Sequence, residues 1–153
     1  MIRRAEKKDI PQINRIREQV NNIHVQGRPD IFKTGFSKEI QDIALEFLQS
    51  DETDIWVDER DGEITGMVMI QYINRPETPY NLARDFCQIT EICVDEKWRR
   101  KGVAHELMEG VRAEARKRGM EKIELDVWAF NDALEFYEAE GFTVFRRFME
   151  CKL

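Results

Sequence analysis

What this sequence has little of narrows its class before any motif is read. Histidine occurs twice, at His24 and His105, too few to suggest a zinc site. Cysteine occurs three times, at Cys87, Cys93 and Cys151, an odd number without metal-ligand spacing. Two of the three stand in apolar, strand-like context, so buried reduced thiols and a cytoplasmic location are expected. No apolar run approaches the ~20 residues of a membrane span, and the first residues lack an apolar signal region, so no membrane partner is expected. A basic excess is also missing. With 30 acidic against 24 basic residues the net charge is −6, which argues against nucleic acid as the main partner and is compatible with a cationic or amine acceptor. Neither named phosphate loop is present: there is no Gly-x-x-x-x-Gly-Lys-Ser/Thr and no Gly-x-Gly-x-x-Gly. Internal repeats, low-complexity tracts and linkers are absent too.

What is there describes a globular protein. The 153 residues are 42% hydrophobic and 35% charged, which suits one domain over 1–153 with a real core. The chain opens on a short strand at residues 2–5. Asp9 is placed to cap a helix with Pro11 in its first turn, and Ile13, Ile16, Val20 and Ile23 form its apolar stripe. Ser37 caps a second helix carrying Ile40, Ile43, Ala44, Phe47 and Leu48. Between the two helices lie His24, Asp30, Phe32 and Phe36. Asp61-Gly62, flanked by strand-like runs at 54–58 and 64–73, is the strongest hairpin signal. Gly66 in the second run suggests a bulge or a close backbone approach. Residues 74–85, with Pro76 and Pro79, read as a loop.

The chain is organised around residues 87–108. Residues 88–94 are β-branched and strand-like. After a polar turn comes Arg99-Arg100-Lys101-Gly102-Val103-Ala104, and then a helical period at Ala104, Leu107, Met108, Val111 and Ala115. A buried strand thus feeds a basic, glycine-containing turn that opens a helix. Such a turn suits phosphate: the first helical N–H groups lack internal partners, the helix dipole adds partial positive charge, and glycine admits close approach. Gly119 is placed to end this helix in a left-handed cap, and Glu114 with Arg118 is expected as an ordinary surface pair. Residues 122–127 alternate as a strand, Asn131 or Asp132 caps a short helix ending at Gly141, and residues 143–153 are expected to supply a last strand. The order suits an α/β fold with one mixed, mostly antiparallel sheet and helices on both faces.

Two segments carry a family resemblance. Arg99-x-x-Gly102-x-Ala104 matches the Arg/Gln-x-x-Gly-x-Gly/Ala signature of the GNAT superfamily of N-acetyltransferases, between strand and helix as that family requires. Downstream, Asn131-Asp132-Ala133-Leu134-Glu135-Phe136-Tyr137-Glu138-Ala139-Glu140-Gly141-Phe142 resembles the family's segment around its Phe-Tyr and Gly-Phe pairs. The resemblance is firm from about Thr90 onward and looser before it. It implies acetyl-CoA as co-substrate, with the pyrophosphate on the backbone from Arg100 to Ala104 and added charge from Arg99, Arg100 and Lys101. It also implies that the pantetheine arm bonds the main chain of the stretch Ile92, Cys93 and Val94, with Asn131 holding it further along. Tyr137 matches the family tyrosine that protonates or hydrogen-bonds the CoA sulfur. Glu91 matches the acidic position before the family's Leu/Ile-x-Val and is the candidate base or water relay; a structural salt bridge is the rival reading, because a strand carboxylate is costly unless solvated or paired. His105 is a further phosphate contact or a solvated first-turn residue. The acceptor is then a small-molecule amine or a peptide amine, with a non-catalytic CoA-binding regulator as the rival from another class, and a homodimer is compatible with the family.

Overall fold

Two hydrophobic clusters, one on each face of a single sheet, define the architecture of the computed structural model, which describes residues 1–153. The elements in order are β1 (Ile2–Arg4), α1 (Ile10–Gly27), α2 (Lys38–Gln49), β2 (Thr53–Arg60), β3 (Glu63–Arg75), β4 (Arg84–Val94), α3 (Val103–Lys117), β5 (Lys122–Leu125) and α4 (Leu134–Ala139). The sheet runs β1-β2-β3-β4-β5, antiparallel throughout except for the parallel pair β4–β5. Successive residues of a strand face opposite sides. Met67 and Met69 of β3 therefore pack with Ile13 and Ile16 of α1 and Ala44 of α2, whereas Val68 and Ile70 pack with Leu107, Met108 and Val111 of α3. β3 is buried on both faces from Ile64 to Ile70, as a central strand must be.

Local chemistry explains the elements. Asp61 and Gly62 both have positive φ, at 51° and 81°, which gives the β2–β3 hairpin the backbone twist its strands need. Ser37 Oγ accepts the Ile40 N–H and starts α2. Gly119 at φ 70° closes α3, with Met120 N–H donating to Ala115 O across the cap. Gly66 satisfies both expectations: Thr65 is an extra residue in the β2–β3 ladder, and a Cβ on Gly66 would come within 2.6 Å of Val103 Cγ1. That missing side chain lets the first turn of α3 sit directly on the sheet.

Several expectations are corrected. Residues 143–153 form no strand; after α4 the chain is irregular, and Phe145, Phe148 and Met149 are exposed. The sheet therefore ends at β5, which stops at Leu125 rather than 127. The expected loop at 74–85 is shorter, because β3 runs to Arg75 and β4 starts at Arg84, their ladder continuing through Asn74↔Asp85. Asp9 stands at the start of α1, but its carboxylate accepts from Arg3 at 2.7 and 3.0 Å and makes no cap bond to that helix. Ile23 is exposed, and the buried face of α1 includes the charged Arg17 instead. Glu114 is no ordinary surface residue either: it is buried, and both Arg4 and Arg118 hold it, at 2.7 and 2.9 Å.

Candidate active site

The site begins where β4 leaves β5. Their parallel register ends at Ile89↔Leu125, and Thr90 is an extra residue against β3, where Met69 pairs Glu91 and Ile70 pairs Ile89. A bulge bends its strand and raises local twist, and the ladder with β5 stops at the residue before it, where β5 itself ends. From Thr90 to Val94 the only ladder partner of β4 is β3, and the backbone edge turned toward β5 is left open. Ile92 and Val94 pack toward the α3 side, while Glu91 contacts α1 and Cys93 packs against the α1–α2 side. Burial pushes the Cys93 thiol well up, so it is an inert core thiol.

The turn after β4 is rigidly built. Asp95 is buried; its carboxylate accepts the Lys97 N–H at 3.0 Å and pairs with Arg15 of α1, and its own N–H donates to Thr65 O. Arg99 Nε donates to Val94 O at 3.3 Å, and the Lys101 ammonium lies 4.7 Å from the Trp98 ring centroid. Arg100 and Gly102 both adopt positive φ, at 60° and 82°. A Cβ on Gly102 would meet nothing closer than Glu106 Oε1 at 3.9 Å, so glycine is required by its φ and leaves open space above the helix start. Glu106 is the first N–H of α3 to bond back, to Gly102 O, and no side chain caps the helix. The N–H groups of Val103, Ala104 and His105 therefore point outward without backbone acceptors, the arrangement that holds an anion. The Glu106 carboxylate at this turn is offset by Arg60 at 3.0 Å.

The other sequence candidates are distributed around the opening. Tyr137 is buried in α4, packed edge-on against Phe136 and Phe142 at 5.4 and 5.8 Å, and its hydroxyl has no hydrogen-bond partner in the protein. Burial pushes its phenol up to about 12; it stays protonated and can only give a proton near neutrality. Asn131 Oδ1 accepts the Ala133 N–H at 3.0 Å, so its oxygen shapes the turn into α4 and its amide N–H groups remain available. His105 turns its ring to Glu140 at 2.7 Å, a contact that raises its pKa, and leaves the anion site to its backbone.

Glu91 is engaged by α1. Arg17 Nε donates to Oε2 at 2.6 Å and a terminal nitrogen to Oε1 at 3.3 Å; the Arg17 side chain is 1% exposed and that of Glu91 36%. Arg17 was missed by motif reasoning. A basic residue on the Ile13–Ile16–Val20 face was the signal, since a charge on a buried stripe must have a partner. Trp128 and Phe130 were also missed, although two aromatic residues stand just before Asn131. They join His24 and Phe32 in a chain of rings: His24–Phe32 at 5.2 Å, Phe32–Trp128 at 5.1 Å and Trp128–Phe130 at 6.0 Å. Phe130 lies so close to Gly27 that a Cβ there would meet its ring at 2.3 Å. These contacts bind the segment after α1 to the segment after β5. Arg28 strengthens the same side by pairing with Asp30 and Glu150 at 2.8 and 2.9 Å.

The site thus combines a strand edge left unpaired beyond β5, a helix start with free N–H donors and a buried, protonated tyrosine. Comparison with known proteins gives the class: residues 17–142 match the model of the acetyltransferase (GNAT) family, and the chain belongs to that family. It is similar to L-ornithine N5-acetyltransferase NATA1 of Arabidopsis thaliana, 29% identical over 119 residues that make up 70% of this chain and 50% of that protein. The chain thus spans about half the length of that curated relative. Among solved structures it resembles a single-site mutant of the BH1408 protein from Bacillus halodurans, with a TM-score of 0.96 at 28% identity over 100% of this chain and 99% of the other. The aminoglycoside acetyltransferase AAC(6')-Iy, bound to a bisubstrate analogue built on CoA, shares the fold at a TM-score of 0.78 and 18% identity, over 100% and 97% of the two chains.

Proposed function

We propose that this chain is an acetyl-CoA-dependent N-acetyltransferase that moves the acetyl group to a primary amine of a small molecule, by direct attack in a ternary complex. The observation that carries the reading is the end of the β4–β5 ladder beside the Thr90 bulge, which leaves Ile92–Val94 without a strand partner on that edge, followed in the chain by the unbonded N–H groups at the start of α3. An extended pantetheine arm can bond that edge as an added strand does. The diphosphate then meets Val103, Ala104 and His105 N–H, with Arg99, Arg100 and Lys101 supplying charge and Gly102 supplying room. The amide N–H groups of Asn131, whose oxygen is held by Ala133 N–H, are free to hold the arm further along. Tyr137, which burial keeps protonated, donates to the departing sulfur. Glu91 lends negative charge at the point where the acceptor ammonium must lose its proton.

A small acceptor, rather than a polypeptide, is favoured by the ring contacts and the Arg28–Glu150 pair, which bridge the acceptor side instead of leaving a long open groove. The L-ornithine activity named for the Arabidopsis relative is of the same type. A homodimer is the second reading, and a specific feature favours it. Residues 143–153 expose Val144, Phe145, Phe148 and Met149 while the outer edge of β5 has no partner, so a second copy can cover both. Sedimentation tests this, with a monomer at micromolar concentration as the contrary result. The activity is tested by following thiol release from acetyl-CoA with L-ornithine, simple primary amines and a lysine peptide. The reading expects amine-dependent release, faster with a small amine than with the peptide. Tight acetyl-CoA binding with no release for any amine would make the chain a CoA-binding regulator instead.

A further inference from the structure

We propose that His24 accepts the proton that the acceptor ammonium loses before attack, with Glu91 as its charged neighbour; the proposal rests on the acetyltransferase reading above. His24 lies seven residues after Arg17 on α1, so the two share one face of the helix and stand roughly 10 Å apart along it. The imidazole thus continues the line that the Arg17–Glu91 pair begins over β4, toward the aromatic bridge. It stacks on Phe32 at 5.2 Å and meets Phe130 edge-on at 6.2 Å, and neither ring nitrogen has a hydrogen-bond partner in the protein. The Glu91 carboxylate, by contrast, has both oxygens occupied by Arg17.

The charges around the ring are few. From β4 comes Glu91, from α1 itself Arg17, and beyond the end of α1 Arg28, Asp30 and Glu150 satisfy one another. The segments after α1 and after β5 present the rings of Phe32, Trp128 and Phe130. Burial holds the imidazole below its usual value, and the Glu91 carboxylate partly offsets this, so the ring is neutral and able to receive a proton near pH 7. Burial keeps the Tyr137 phenol protonated while it keeps His24 neutral, so one group holds a proton and the other lacks one, and the two divide the acid and base work. The proton balance then closes. The ammonium gives one proton to His24, which releases it to solvent. The freed lone pair forms the N–C bond while the C–S pair leaves on sulfur and takes the Tyr137 proton, and the second proton shed by nitrogen restores the Tyr137 phenol.

The test uses His24→Gln and His24→Phe, with folding checked by thermal melting, and thiol release with the best amine among L-ornithine and simple primary amines. Phenylalanine keeps the stack on Phe32 and cannot take a proton. Both variants are expected to lose about 10²-fold in kcat/KM for the amine at pH 7. The loss shrinks as pH rises toward the amine's own pKa, where free amine is supplied by solution, and the acid limb below about 6.5 in the wild-type profile disappears. Affinity for acetyl-CoA should not move. Recovery of activity by phenylalanine, or an equal loss at every pH, would overturn the proposal and leave His24 as packing. Failure of the unsubstituted chain to use any amine would bring down the acetyltransferase reading itself, which is read separately on that chain.

Discussion

Replacing Glu91 with leucine should destabilise this protein far more than its exposure suggests, because the buried partner is Arg17. The guanidinium has four hydrogen bonds: two to Glu91, one to Asn14 Oδ1 at 2.9 Å and one to Ile40 O at 2.9 Å. Without Glu91 a 1% exposed charge keeps two neutral acceptors and no counter-ion. Breaking a buried pair from one side costs about 3–5 kcal/mol, and the partial exposure of Glu91 places this case near the lower end, at roughly 3. Arg17→Leu is milder. It leaves a carboxylate that water can reach and two acceptors without a donor, about 2 kcal/mol in all. In the double leucine variant both charges are gone and only those acceptors suffer, again about 2 kcal/mol. The single changes therefore sum to about 5 where the double costs about 2, a coupling near 3 kcal/mol, at the top of the range for residues in contact. Urea denaturation of the four proteins, with a constant slope against denaturant, measures it. Additivity within about 0.5 kcal/mol would refute the argument that α1 and β4 are joined by a desolvated ion pair.

Three further outcomes are expected. Gly102→Val forces a branched residue to φ 82° in open space; the fold should survive a cost of roughly 1–2 kcal/mol, while calorimetry should show acetyl-CoA affinity down at least about tenfold. Tyr137→Phe removes a hydroxyl that no protein group binds, so the melting temperature should hold while kcat falls about 10²-fold at unchanged KM for acetyl-CoA. The two histidines should titrate on opposite sides of about 6.5 in an NMR titration, His24 below through burial and His105 above through Glu140, and Glu91→Gln should lower His24 further. Their stability contributions run oppositely: neutral His24 is favoured in the fold, so that contribution is lost as pH falls through its folded pKa, whereas protonated His105 contributes at low pH and loses its effect as pH rises.

Much of the fold was legible because its signals are local. Asp61-Gly62 needs two positive φ values, Gly66 needs an absent side chain, and Ser37 needs only a neighbouring N–H. The turn from Arg99 to Ala104 could be read as an anion site for the same reason, since a helix start carries its own unpaired donors. What stayed hidden depends on contacts distant in sequence. Arg17 and Glu91 are joined across 74 positions; each calls for a partner, but nothing local to either names the other. The ring chain from His24 to Phe130 exists only once the segment after β5 folds back over the end of α1. The bulge at Thr90 follows from register between β3 and β4, which composition does not encode. Residues 143–153, with Thr143, Val144, Phe145 and Phe148, carry enough β-branched and aromatic residues to suggest a strand, yet composition does not supply a partner, and within one chain they have none.

The central claim is that acetyl-CoA lies along the open edge of β4 with its diphosphate on the first turn of α3. Amide-resolved NMR of this 18.2 kDa protein during an acetyl-CoA titration tests it most directly. The largest shifts are expected at the N–H groups of Ile92, Val94, Val103, Ala104 and His105, with little change along β1 and β2. Saturable binding that leaves those five amides unmoved would contradict it.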